Sequence, residues 1–445
     1  MNQQKQNGNR IAIITMIFLF AMISFVTNLA APMGVVLKNQ FGLGSSAGML
    51  GVFMNFFAYL FFGIPSGNLL NKKGYKFTAL TAVAIGFVGI GIQYLSGLAG
   101  SLEGQIFSLP VSFFIYLLGA FVAGISVCML NTVVNPMLNS LGGGGKKGNQ
   151  LLQIGGSFNS LAATITPMFV GVLIGEAAKA HIADVFPVMY IAMGVFAVVF
   201  IILNLVKIPE PGLEEQKNAP KLESKSKHSP WSFRHFVLGA IGIFIYVGIE
   251  VGIPGTLNFF LADPNGGAGL DPATAAATAG FVAGTYWFLM MIGRFFGGSI
   301  GHKVSGKTML SVASGVGILF ILIAMFSSLS SKISMPVFTG SGFEMTSVPI
   351  SALFLVLCGL CTSIMWGGIF NLAVEGLGKY VAKAAGIFMM MVVGGGVLPL
   401  LQNGIVDWTG KNYMISYIVP LLGLVYLLYY ALIGSKNVNK DIPVE

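Results

Sequence analysis

The sequence predicts an all-α membrane protein whose twelve transmembrane helices form two six-helix bundles. Three observations predict it. The 445 residues are 55% hydrophobic and only 9% charged, whereas soluble chains are about a quarter charged. Twelve apolar segments can be marked, each long enough, at about 1.5 Å per residue, to approach or exceed a hydrocarbon core of about 30 Å. A short basic loop recurs in the second half of the chain, offset by 231 residues when Gly67 is laid on Gly298. This composition excludes a soluble globule, a disordered chain and a nucleic-acid scaffold, so no nucleic-acid partner is expected.

The first six segments are 11–37, 47–70, 77–98, 110–138, 151–175 and 186–208. The first is too long for a cleavable signal and lacks a small-residue cleavage site, so it reads as a transmembrane helix. The second six are 236–261, 273–300, 308–329, 350–372, 384–406 and 415–433. Between the sets lies the longest polar stretch, 209–235, with Lys217, Lys221, Lys225, Lys227 and Arg234 among Pro, Ser and Glu. Its composition is that of a flexible linker. The expected organisation is therefore an N-terminal bundle over 1–208, a linker over 209–235 and a C-terminal bundle over 236–445.

The net charge of +9 has to be read by location. With the N-terminus inside, all 24 Lys and Arg except Lys38, Lys179, Lys332 and Lys411 collect at one set of helix ends. Basic residues mark the cytoplasmic side. Both termini and the linker are therefore expected in the cytoplasm.

The recurring loop reads P-S-G-N-L-L-N-K-K-G-Y-K from Pro65 to Lys76 and G-R-F-F-G-G-S-I-G-H-K-V-S-G-K-T from Gly293 to Thr308. The offset puts Asn71 on His302, Lys72 on Lys303 and Lys76 on Lys307, with Arg294 opening the second copy. Duplicated bundles joined by a linker are the plan of an alternating-access transporter, in which these loops reset the halves. Gly301 to Thr308 also fits the G-x-x-x-x-G-K-[ST] nucleotide pattern. That motif works between a strand and a helix. Here an apolar helix precedes it, and a glycine-hinged basic turn is expected.

Polar residues inside the spans are the candidate site, because burying them unpaired costs a few kcal/mol each. Asn131, Asn135 and Asn139 fall on one helical stripe, with Asn139 at the inner end. Carboxamides both donate and accept, which suits a hydroxyl-rich ligand; bonding between helices is the competing use. Glu250 sits deep in the seventh segment and needs a partner, a cation or a proton. Pro254 and Gly255 follow it and should break that helix, as at transporter binding sites. Asn258 lies eight residues on. Asn28, Gln153, Ser157 and Asn159 are weaker candidates, and Asn371 repeats the asparagine spacing with Glu375 and Lys379, which should pair at the inner end. Trp287 and Trp366 could face a sugar ring or pack between helices. Cys128, Cys358 and Cys361 read as small packing residues. No metal-ligand cluster or nucleophile–base pair appears in the spans, so neither an enzyme nor a cofactor is expected.

The paired loops resemble the inner-loop signature of the major facilitator superfamily. Three stretches resemble its fucose–proton symporter branch, which includes glucose/galactose transporters. They are N-T-V-V-N-P (131–136) with S-F-N-S (157–160), Y-V-G-I-E-V (246–251), and the run 369–399 containing I-F-N-L-A-V-E-G-L-G-K and M-M-M-V-V-G-G-G-V-L-P. The resemblance implies a central sugar site between the halves and uptake of a monosaccharide, such as glucose, galactose, fucose or an amino sugar, across the bacterial inner membrane. It carries Asn28, Asn135, Asn159 and Glu250 onto family positions. The fucose symporter has an aspartate near Ala31 and a glutamate at Asn131, which carry its proton coupling, and this chain has neither. Coupling to H+ through Glu250, to Na+, or to no ion therefore stays open.

The expected partners are a small-molecule sugar and the lipid bilayer, with the chain acting as a monomer. Two other readings are an exporter of amphipathic compounds, which would use Met389–Met391, and a non-transporting sugar sensor. A sensor would need a signalling appendage, and the tails 1–10 and 435–445 are short.

Overall fold

The computed structural model describes residues 2–99, 104–106, 109–142, 145–176, 179–210, 228–300, 304–439 and 441–443. Among them are twelve helices long and apolar enough to cross a membrane. They are α1 (Arg10–Gln40), α2 (Leu50–Lys73), α3 (Tyr75–Leu98), α4 (Val111–Leu138), α5 (Ile154–Ile174) and α6 (Ile182–Leu205), then α7 (Arg234–Ala262), α8 (Ala275–Gly297), α9 (Gly306–Phe326), α10 (Ile350–Val374), α11 (Ala384–Trp408) and α12 (Tyr413–Gly434). A helix satisfies its own backbone hydrogen bonds, which lipid cannot do, and this fixes the secondary structure of every apolar run. Most of the expected linker, 211–227, lies outside the described residues, as do Gly301, His302 and Lys303.

Within the first half α3 and α4 pack most closely, with α2 on α4 and α1 on α5. Small residues make these approaches feasible. A Cβ at Gly124 would overlap the Asn55 carbonyl, and one at Gly89 would meet the Ala123 backbone. In the second half α7 packs on α11, and α8 and α9 pack on α10. The halves meet along α5 and α8, along α2 and α11, and between α1 and α7. Gly171 and Gly280 let α5 and α8 touch nearly backbone to backbone. The Gly394–Gly396 run does the same for α11, since added Cβ atoms would strike the Phe244 carbonyl of α7 and the Phe53 backbone of α2.

Three features differ from expectation. α7 runs unbroken from Arg234 to Ala262 through Pro254. The proline removes only the N–H that would have bonded the Glu250 carbonyl, a loss that neighbouring helices make tolerable within a bundle. The interruptions fall instead in α10, whose helices end at Thr362 and resume at Met365, in α11, between Met391 and Gly394, and in α12, at Tyr417. The stretch before α10 forms an antiparallel hairpin of β1 (Lys332–Phe338) and β2 (Phe343–Pro349). It leans on α8, where Phe338 donates its N–H to Thr285 at 3.0 Å and stacks on Phe288 at 4.9 Å.

At the face where lysines are few, the halves are joined by one ion pair and by hydrogen bonds to a second carboxylate. Asp263, just past α7, accepts from Lys38 of α1 at 2.9 Å and from the Tyr413 hydroxyl at 2.9 Å, with Lys411 3.4 Å away. Asp407 of α11 accepts the N–H groups of Ser45 and Ser46 at 2.6 and 2.7 Å and the Ser46 hydroxyl at 2.6 Å. Gly44 has no room for a side chain beside that carboxylate.

At the lysine-rich face Glu210 accepts the N–H groups of Tyr75 and Lys76 at the start of α3, at 2.6 and 2.9 Å. The Lys76 ammonium donates to the Asn204 and Val206 carbonyls at 2.9 Å, closing the end of α6. Cations are favoured at such a terminus. Asn71, Lys72 and Lys307 are exposed, and Gly67 lies inside α2 with open space around it. Gly298 continues the helix that contains α8. The nucleotide-like pattern thus follows a helix and leads into α9, which Ser305 caps by accepting from the Thr308 N–H at 3.1 Å.

Candidate functional site

A charged side chain in the interior of the bundle must find an opposite charge or several hydrogen bonds. Glu250 finds an opposite charge in Arg294. Arg294 reaches from α8 and donates to its carboxylate at 3.1 Å, and the two side chains are only 14% and 16% exposed. The other arm of the guanidinium donates to the Gly156 carbonyl at 3.1 Å and the Ser160 hydroxyl at 2.8 Å, both on α5. Arg294 therefore links α7 and α8 of the second half to α5 of the first. The sequence had grouped it with the basic loop. The structure places it inside the helix, because its long stem carries the charge away from the helix end.

Beside Ser160, Asn159 donates to the Phe20 carbonyl of α1 at 2.8 Å. Asn28 donates to the Ser24 carbonyl and hydroxyl on its own helix, at 2.9 and 3.1 Å. On α4, Asn135 donates to the Asn131 carbonyl at 2.9 Å, and Asn131 donates to the Tyr59 hydroxyl of α2 at 2.7 Å. All four amides are half-buried, while the neighbouring Val133, Val134, Met137 and Leu138 are sealed. Since α1, α2, α3 and α5 all pack on α4, the half-open stripe of Asn131, Thr132, Asn135 and Pro136 is the part they leave uncovered.

The candidates are only partly gathered. Glu250, Arg294 and the Asn159 neighbourhood are linked directly; Asn131 and Asn135 belong to a separate hydrogen-bonded set on α4 and α2. Asn258 is 4% exposed and sits eight residues from Glu250, about 12 Å nearer the lysine-poor end. Asn371 is exposed at the far end of α10. Ser157 is buried on α5. The side chains of Gln153, Asn139 and Lys379 lie outside the described residues, so the Glu375–Lys379 pair does too. Trp287 is buried edge-on against Tyr286 at 5.3 Å, and Trp366 lies 6.1 Å from the ring of Tyr246. Tyr246, one turn before Glu250, is fully buried with its hydroxyl beside the Glu250 carboxylate. Cys128, Cys358 and Cys361 are free and buried.

Two residues of the site do not stand out in the sequence: Ser160 closes the S-F-N-S motif, and Arg294 opens the second basic loop. The available signal was the count of charges: Glu250 needed a cation within the spans, and Arg294 is the nearest basic residue to the membrane interior on the second half's early helices.

The sequence pattern described as Major Facilitator Superfamily matches residues 13–399. The chain is 31% identical to the glucose/galactose transporter of Brucella abortus, with 98% of this chain and 96% of that protein covered. It is 31% identical to a putative glucose/galactose transporter of Helicobacter pylori, covering 97% and 99%. The L-fucose–proton symporter of Escherichia coli is 22% identical over 86% and 83% of the two chains. Among solved structures, a fucose transporter in the outward conformation aligns with a TM-score of 0.66 at 18% identity, over 97% of this chain and all of that one. A bacterial Spinster homologue, inward-facing and occupied, aligns with a TM-score of 0.66 at 13% identity, over 97% of each chain.

Proposed function

This chain belongs to the major facilitator superfamily, and we propose that it imports a monosaccharide across a bacterial inner membrane by alternating access. The single observation that carries the reading is the Glu250–Arg294 pair bonded across the halves to Ser160 and Gly156. An ion pair held in a bundle interior is a poor way to gain stability. Its presence suits a site that must be polar, and its span from one half to the other suits a site that is remade when the halves rock. Full-length similarity to glucose/galactose transporters supports a neutral hexose as cargo.

The moving bodies in this reading are 1–208 and 236–445, tied by the linker 209–235. The lysine-rich face and both termini lie in the cytoplasm, and one chain suffices. Asn28, Asn131, Asn135, Asn159 and Glu250 contact the sugar. Asn258 and Asn371 become secondary, given where they lie. Transport needs no cofactor. A coupling ion, H+ or Na+, would act at Glu250, since Ala31 and Asn131 cannot titrate. The closed cluster at Asp263 and Asp407 supports a state shut on the lysine-poor side.

The test is uptake of labelled glucose, galactose, fucose and glucosamine into proteoliposomes under separately imposed proton and sodium gradients. Concentrative uptake of one sugar under one gradient is expected. If none of the four enters under any gradient while the protein remains folded, the reading fails.

A further inference from the structure

Lys411 is out of place in two respects. Among the described residues it is the one non-glycine residue with positive φ, at 70°. That conformation favours glycine and disfavours a lysine, so the turn itself gives no reason for this side chain. Its ammonium is also second in line for a carboxylate. It lies 3.4 and 3.5 Å from the two oxygens of Asp263, whereas Lys38 holds one of them at 2.9 Å. The Tyr413 hydroxyl and the Asn265 N–H complete the set, each at 2.9 Å. Of these partners only Lys38 belongs to the first half. The Asp263 side chain is 4% exposed and that of Lys411 45%. Lys38, Lys411, Ser45 and Asp407 line a cavity of about 290 Å³, which gives the Lys411 stem room to move.

The inference rests on the alternating opening of the halves proposed above. Opening this face carries Lys38 away and leaves a poorly solvated Asp263 without its closest cation. We propose that Lys411 is the standby cation of Asp263, closing the remaining gap as Lys38 leaves, so that one lysine is exchanged for the other and opening is made easier. In the shut state two ammonium groups share one carboxylate and repel each other, which weakens the closure further. Lys411 thus favours the open state although it sits in the shut cluster.

The experiment measures the distance between spin labels at Lys179→Cys and Ser341→Cys, exposed positions on the two halves, in the full chain in lipid nanodiscs without sugar. The chain also carries Asp407→Ala, which removes three bonds across the seam and makes the open population visible. In that chain Lys411→Gln should shrink the open population about threefold, the scale of a part-exposed ion pair. Lys411→Arg keeps the charge and should leave the population unchanged, and Lys38→Met should enlarge it. With Asp263→Asn also present, Lys411→Gln should have no effect. The inference is overturned if Lys411→Gln leaves the open population unchanged or enlarges it, as a brace of the shut face would. It is equally overturned if Lys411→Arg acts like Lys411→Gln, if Lys38→Met fails to open the face, or if the Lys411→Gln effect survives Asp263→Asn. These distances need neither sugar nor a gradient, so failure of sugar uptake would sink the transport reading and leave this result intact.

Discussion

Arg294 of α8 holds Glu250 of α7 at 3.1 Å while its other nitrogen grips Ser160 of α5 at 2.8 Å. One guanidinium therefore spans the seam between the halves near the middle of the bundle. Breaking either side of that arrangement has different consequences, and the difference separates a transport role from a packing role.

Glu250→Gln leaves Arg294 without its counter-ion, and Arg294→Gln leaves Glu250 without its cation. Removing one partner of a buried pair costs about 3–5 kcal/mol, whereas removing both charges is far milder. Each single variant should melt lower, and the double variant Glu250→Gln with Arg294→Gln should recover most of the stability. Uptake should stay lost in all three. Recovery of uptake together with stability in the double variant would reduce the pair to a structural brace.

The pH dependence of the lysine-poor closure follows from Asp263. Burial works to raise its carboxyl pKa, but the Lys38 ammonium, the Asn265 N–H and the Tyr413 hydroxyl outweigh it and hold the group below the usual carboxylate range. A depressed folded-state pKa contributes stability above the unfolded value of about 3.9, and that stability is lost as pH falls through the folded value. The melting difference between the wild type and Asp263→Asn should thus stay level from about pH 8 to pH 5 and shrink only below about pH 4. A difference that vanished between about pH 7 and pH 6 would assign control of the closure to another group.

Asp407 should set how firmly that face is shut. It receives three hydrogen bonds from Ser45 and Ser46, and bonds to a charged group are worth about 1.5–3 kcal/mol each. Asp407→Ala should enlarge the population open on that face about tenfold or more, since about 1.4 kcal/mol is a factor of ten. Spin labels at Lys179→Cys and Ser341→Cys, exposed positions on the two halves, read the separation directly. An unchanged distance distribution would remove Asp407 from the closure.

Glycine contacts across the seam give a steric test. A Cβ at Gly280 would collide with the Pro167 carbonyl of α5, so Gly280→Ala should cost about 1–3 kcal/mol and slow uptake. Gly315 of α9 has nothing within 4 Å of the added atom. Gly315→Ala should be neutral or raise the melting temperature, by helix propensity of up to about 1 kcal/mol. Equal effects in the two variants, measured by thermal unfolding, would show that close approach of α5 and α8 is not limiting.

Much of the architecture was legible because it depends on composition over long windows. A run such as 308–329 can only cross a bilayer as a helix, and the structure has α9 over Gly306–Phe326. The hairpin over Lys332–Phe338 and Phe343–Pro349 was missed, because it is short and is stabilised by Phe288 and Thr285 on a helix distant in sequence. Pro254 misled for a related reason. Proline removes one hydrogen bond locally, but whether a helix breaks there depends on what surrounds it. The glycines at 394–396 stand in the sequence as a motif, and their use depends on Phe244 and Phe53, which pack against them from other helices.

The sequence by itself determined the spans, the recurrence of a basic loop and the presence of an acid that had to be neutralised, because hydrophobicity, repetition and charge are properties of the chain alone. Only the tertiary structure decided that Arg294 neutralises Glu250 and that Asp407 and Asp263 fasten one face. Those facts depend on which helices become neighbours and how far a side chain reaches across the gap, and neither distance nor direction between α5, α7 and α8 is written in the order of residues.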